Sequence, residues 1–274
     1  MRKKFWSMLI LAAALVLTIP LTAGAAPAKQ TPIHLKIGPY FVLYTEPSSP
    51  FIDSKNRLVV PLRSFETLMG GKVDFNNTTK KATISWLNHN FSMTLNSNQA
   101  YVDGKPMSMD TKPILKDNAI FIPIRLLLDQ TDVKWASENG VVHLLDSRVI
   151  KGKIFSAFSG ELESGMSEKI KNQNAITLKD YQIDLKTGGN SSSFDGKLII
   201  NAINTSSENI AKGKSDINAL IWFENGTYSG EPYNKYTSPR PGVKHNGTIQ
   251  RIVPLNLSSD DKISAIIAVG RSFE

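Results

Sequence analysis

Few residues in this chain are of the types that carry chemistry. Its histidines are His34, His89, His143 and His245, widely separated, so no local metal spacing such as H-E-x-x-H occurs. A metal site would need His34, His89 and His143 to converge in the fold. There is no cysteine, which removes thiolate nucleophiles, disulfides, cysteine zinc sites and a lipidated N-terminal cysteine. Ser159-Gly160 and Ser164-Gly165 lack the G-x-S-x-G frame of a nucleophile elbow. Gly188-Gly189-Asn190, followed by serines, lacks the lysine of a phosphate loop. Asp260-Asp261 reads as turn chemistry. These residues give no reason to expect a catalytic group, a metal or a cofactor.

Binding is better provided for. Residues 225–247 gather Tyr228, Tyr233, Tyr236, Arg240, Lys244 and His245 among glycines and prolines. Tyrosine offers a flat apolar ring and a hydroxyl to a sugar or a peptide, and long loops at the end of a sheet commonly hold binding function. Tyr228, Tyr233, Tyr236 and Arg240 are therefore the candidate ligand contacts. The competing reading is a hairpin excursion whose tyrosines pack on a sheet edge.

The elements that must hold this loop are strand-like. Apolar segments at 176–186, 197–205, 217–224, 248–257 and 262–270 are separated by Gly-, Asn-, Ser- and Asp-rich turns. No helical stripe interrupts them, which predicts an all-β antiparallel sandwich over 176–274, with an immunoglobulin-like topology as the expectation. Residues 148–175, punctuated by Gly152, Gly160 and Gly165, read as a linker leading into it.

The segment 31–147 differs. Leu58-Val59-Val60-Pro61-Leu62-Arg63 recurs as Ile120-Phe121-Ile122-Pro123-Ile124-Arg125, and Val73-Asp74-Phe75 recurs as Val133-Lys134-Trp135. This is an internal repeat. In each copy an apolar strand meets a proline, which stops the strand and suits the first turn of a helix. Leu62, Phe65, Leu68 and Met69 then form one apolar stripe, matched by Ile124, Leu127 and Leu128. Gly70-Gly71 ends the first helix, and a hairpin follows. The expectation is an α+β domain of short helices on antiparallel strands.

Val60-Pro61-Leu62-Arg63-Ser64-Phe65-Glu66 with Gly70-Gly71-Lys72-Val73-Asp74-Phe75 resembles the copper amine oxidase N-terminal domain family, or stalk domain, over about residues 33–147. The second copy carries Ile122-Pro123-Ile124-Arg125 and Val133-Lys134-Trp135, with Leu128 in place of Glu66 and no glycine pair. The resemblance implies an accessory domain that projects from the oxidase and holds no copper. It makes Pro61, Arg63, Glu66, Pro123 and Arg125 structural motif residues, with Arg63 and Glu66 an i, i+3 helix pair. Oxidase activity in that family belongs to a larger domain with a copper site and an Asn-Tyr cofactor motif. No Asn-Tyr dipeptide occurs here, so the chain is expected not to be an enzyme.

Destination is read from residues 1–25. Arg2, Lys3 and Lys4 precede an apolar stretch, and Ala23-Gly24-Ala25 is a small-residue cleavage pattern, together a secretory signal peptide. A retained membrane anchor is the alternative. The formal net charge of +8 falls by the three charges of the signal peptide to 8 − 3 = +5, with Lys and Arg scattered, which favours anionic wall polymers or lipid headgroups non-specifically. Basic runs with interleaved aromatics are missing, so nucleic acid is not an expected partner. The sequence thus predicts a secreted or cell-wall-associated binding module or spacer. Its expected partner is a cell-wall polymer, a polysaccharide or an envelope protein. A secreted glycan hydrolase with an unrecognised site is the alternative.

Overall fold

The computed structural model describes residues 30–164, 166, 168–187, 193–231, 240–258 and 260–274. The expected signal peptide lies outside them. In chain order come β1 (Thr31–Pro32), β2 (Leu35–Ile37), β3 (Tyr40–Thr45), β4 (Phe51–Ile52), β5 (Leu58–Pro61) and α1 (Leu62–Met69). Next are β6 (Lys72–Asn76), β7 (Lys81–Trp86), β8 (His89–Thr94), β9 (Gln99–Val102), β10 (Lys105–Ser108), β11 (Ile114–Lys116), β12 (Ala119–Pro123) and α2 (Arg125–Asp129). After β13 (Trp135–Glu138) and β14 (Val141–Leu144) the chain makes a 3-10 turn (Ser147–Val149), α3 (Lys153–Ala157) and a π-helical turn (Phe158–Glu163). The rest is strand: β15 (Ile170–Asn172), β16 (Ile176–Thr187), β17 (Ser193–Asn204), β18 (Ser215–Phe223), β19 (Tyr228–Gly230), β20 (Thr248–Ser258) and β21 (Ile263–Phe273).

The two repeat copies share one local plan of strand, helix and hairpin. β5 leads into α1 and the β6–β7 hairpin, and β12 leads into α2 and the β13–β14 hairpin. The repeat strands pair with each other, Val60 opposite Ile122. Both helical stripes are buried as their spacing requires: Leu62, Phe65, Leu68 and Met69 in α1, and Ile124, Leu127 and Leu128 at α2. Gly70 ends α1 in the left-handed conformation, φ 70°, with its N–H donating to the Glu66 carbonyl. Beyond this the copies diverge. β6 and β7 join the five-stranded meander β10-β9-β8-β7-β6, whereas β13 and β14 join the largest sheet.

That largest sheet runs β13-β14-β2-β3-β21-β18-β19, with β15 also on β21. The expected division near residue 147 is therefore not a break in hydrogen bonding: β3 pairs with β21, Phe41 opposite Ala268. The central strands bury both faces. In β3, Tyr40 and Val42 point to one core while Phe41 and Leu43 point to the other. In β18, Leu220 faces the first core and Ile217, Ala219, Ile221 and Phe223 face the second. β21 alternates likewise, with Ala265, Ile267 and Val269 against Ile266 and Ala268. This explains why these segments read as unbroken apolar runs, the pattern of a strand covered on both sides.

The second core is closed by the sheet β1-β16-β17-β20, whose strand β20 shows one-sided alternation. A β-sandwich is present, and its strand order does not confirm the immunoglobulin-like topology expected. The first core is closed by the helices and the meander. Residues 148–175, expected as a linker, are corrected by this packing. Ile154, Phe155, Phe158 and Leu162 are all buried in the first core, with the Tyr40 ring tilted against Phe155 and edge-on to Phe158. Gly152 marks close approach to α1: its N–H donates to the Leu68 carbonyl, 2.9 Å.

Candidate functional site

The loop singled out by its tyrosines starts at the outer edge of the central sheet. Asn225-Gly226 makes the turn, with Gly226 at φ 82° and the Asn225 side-chain oxygen accepting from the Thr227 N–H and hydroxyl. This returns the chain as β19 and sets Tyr228 directly opposite Trp222. The two rings stack, centroids 6.0 Å apart and 17° from parallel. Trp222 packs inward on the first core, while Tyr228 stays 38% exposed. The Tyr228 hydroxyl donates to the Glu161 carboxylate, and that hydrogen bond holds the phenol above its usual range. The result is an aromatic step at a sheet edge, flanked by an acid from the π-helical turn.

Arg240 does not join that step. Tyr233 and Tyr236 lie outside the described residues, but Arg240 is placed, and it is buried. Its expected role as an outward ligand contact is corrected: the Nε donates to Asp216 Oδ1, 3.3 Å. Asp216 is the second residue of β18 and stands opposite Arg271 on β21. Both side chains are fully buried. Arg271 Nη2 lies 3.8 Å from Asp216 Oδ2, and Nη1 donates to Glu163 Oε1 at 2.5 Å. Arg251 pairs with Glu231 close by. Burial pushes the Asp216 carboxyl up even though Arg240, Arg271 and Arg251 pull it down. The long pairings explain that balance: no hydrogen bond reaches Asp216 Oδ2 or Arg271 Nε. The cluster fastens the π-helical turn and the end of the loop to the central sheet.

The motif residues of the repeat are structural in a different way from that expected. Pro61 and Pro123 close their strands, both buried, and the Pro61 carbonyl accepts from the Ser64 hydroxyl at 2.7 Å. Arg63 and Glu66 are exposed, and no ion pair joins them among the described residues. Arg63 instead acts on Glu46, whose carboxyl hydrogen-bonds Glu224 and is held above the usual range by that bond. Arg125 pairs with Asp129 one helical turn on, 3.2 Å, on the surface. The histidines are dispersed: His34 Nδ1 meets the Gly140 carbonyl, His89 the Asp103 carboxylate, His143 the Gly38 carbonyl. Among the described residues no group of three or more His, Asp or Glu could hold a metal ion.

Lys36 is a buried cation that sequence reasoning missed. It points into the second-core side of β2, donating to Asn174 Oδ1 at 2.7 Å and lying 4.7 Å from the Phe41 ring centroid. Burial lowers its ammonium from 10.5 to about 8. From about pH 8 to 10.5 the unfolded chain holds this proton and the folded chain has released it. Stability contributed by this group therefore rises with pH across that window. Lys36→Met is expected to abolish the rise, checked by urea midpoints of both proteins at the two ends of the window.

Asp216, Arg271 and Glu163 were likewise missed. Their signal was a charge abutting an apolar run that is covered on both faces, as in Asp216 before Ile217 and Arg271 after Gly270. No helix among the described residues is long and apolar enough to cross a membrane. No curated protein matches the chain. A solved structure, Northeast Structural Genomics Consortium target SoR45, is 15% identical over 36% of this chain and 88% of its own, with a TM-score of 0.26, too low to define a shared fold. Residues 43–144, from the end of β3 through β14, match the family model of the copper amine oxidase N-terminal domain, and the C-terminal half matches no family model.

Proposed function

We propose that this protein is an exported, non-catalytic envelope protein that binds a wall polymer, polysaccharide or envelope partner and holds it at a fixed distance. The observation that carries this reading is the match of residues 43–144 to an accessory, stalk-type domain. Its framework suits a spacer, because one central sheet joins that domain to the sandwich. The Trp222–Tyr228 step is the surface assigned to contact, since a stacked ring pair with one exposed face takes a sugar or a peptide without reorganising. Purified chain starting at residue 26 is expected to cosediment saturably with purified cell walls at physiological salt, and Tyr228→Ala to weaken that binding about ten-fold. Absence of sedimentation, or release of soluble sugar from the walls, overturns the proposal.

A further inference from the structure

The meander presents a second surface, remote in sequence from the loop. Its inner face is apolar: Ala82, Ile84, Trp86, Phe91 and Met93 are all buried. The alternate residues face outward, and in the middle strands these are small and hydroxylated. Thr83 on β7 stands opposite Ser92 on β8, and Ser92 stands opposite Tyr101 on β9. Ser85 stands opposite Asn90, and its hydroxyl donates to the Asn90 side-chain oxygen at 2.7 Å. Small side chains on β7 and β8 beside a large ring on β9 leave a trough. It is a cleft of about 370 Å³ lined by Lys81, Thr83, Ser85, Asn90, Ser92 and Tyr101, at the small end of ligand-site volumes.

Three features of the cleft point to one ligand chemistry. Tyr101 is 40% exposed at its rim, a flat ring of the kind on which a pyranose stacks. Ser92 stands between Thr83 and Tyr101 on this face, and its hydroxyl has no hydrogen-bond partner within the described protein, so on rotation it can donate to or accept from another molecule. Lys81 is the single charged residue in the lining, and no ion pair of Lys81 is found among the described residues. Charge complementarity then selects an anion over a neutral chain.

We infer that this cleft binds a linear polysaccharide bearing carboxylates, with a sugar ring on Tyr101, hydroxyls on Thr83, Ser85, Asn90 and Ser92, and a carboxylate at Lys81. The inference rests on the reading of the chain as a binding protein for its choice of a polymer, and it adds a site and a ligand class. The probe is a tetragalacturonate, with cellotetraose as the neutral comparison, titrated calorimetrically into the chain starting at residue 26. Tetragalacturonate is expected to bind at least ten-fold more tightly than cellotetraose. Lys81→Gln is expected to remove that preference, and Tyr101→Ala to weaken both sugars at least ten-fold. Both positions are exposed, so thermal midpoints should be unchanged. No binding of tetragalacturonate, or binding untouched by either substitution, overturns the inference. Binding of both sugars alike overturns the carboxylate assignment. Cosedimentation with walls separates the two proposals, because a chain that sediments yet ignores tetragalacturonate keeps the general function and loses this site.

Discussion

Arg271→Met is expected to destabilise the protein by about 3–5 kcal/mol, the range for removing one partner of a buried ion pair. Arg271 is fully buried, and its guanidinium lies between Glu163 and Asp216. Methionine matches the length of the stem but leaves Asp216, itself fully buried, with Arg240 as its one ion-pair partner among the described residues. The penalty arises from that stranded carboxylate and from Glu163. In a chain of this size it should appear as a fall in melting temperature on the order of 10 °C. Adding Asp216→Leu to Arg271→Met should recover part of the loss, because a neutral pair of apolar side chains carries no desolvation cost. If urea unfolding shows the single variant within about 1 kcal/mol of the parent, an effect no larger than an exposed ion pair gives, the cluster does not fasten the π-helical turn as described.

Gly152→Ala is expected to cost about 3 kcal/mol, the upper end of overpacking penalties. The close approach leaves no alternative to glycine here. An added Cβ would fall on the Thr67 carbonyl oxygen and lie 2.7 Å from the Leu68 carbonyl oxygen, both backbone atoms of α1 that cannot rotate aside. The hydrogen bond from Gly152 to Leu68 would open, and with it the seat of Ile154, Phe155 and Phe158 in the first core. Guanidinium unfolding combined with hydrogen exchange over 153–163 checks this. The early loss of protection should centre on that segment, ahead of the sandwich.

Gly152 also shows where sequence reading reaches its limit. As punctuation it suggested a linker, because a glycine required by close packing and one required by a turn look alike in one dimension. The local elements were legible because their causes are local. Leu62, Phe65, Leu68 and Met69 fix a helical face through spacing alone, and Gly70 ends that helix through its positive φ, 70°. Long-range pairing was not legible. Nothing near Tyr40–Thr45 says that its partner is Ile263–Phe273. The one clue was the lack of alternation in Ile217–Phe223 and in Ala265–Val269, which required cover on both faces. Arg240 was misplaced for the same reason, since its partner Asp216 lies on a strand that only the assembled sheet brings near.

The position of β21 between β3 and β18 has a consequence for how the molecule comes into being. The last described strand is the wedge that joins the first long one to the rest, so the central sheet cannot close its hydrogen bonds until that strand is in place. Cutting the chain near residue 147 would leave β3 with a raw edge and its Phe41 and Leu43 uncovered, surfaces prone to pairing with strangers.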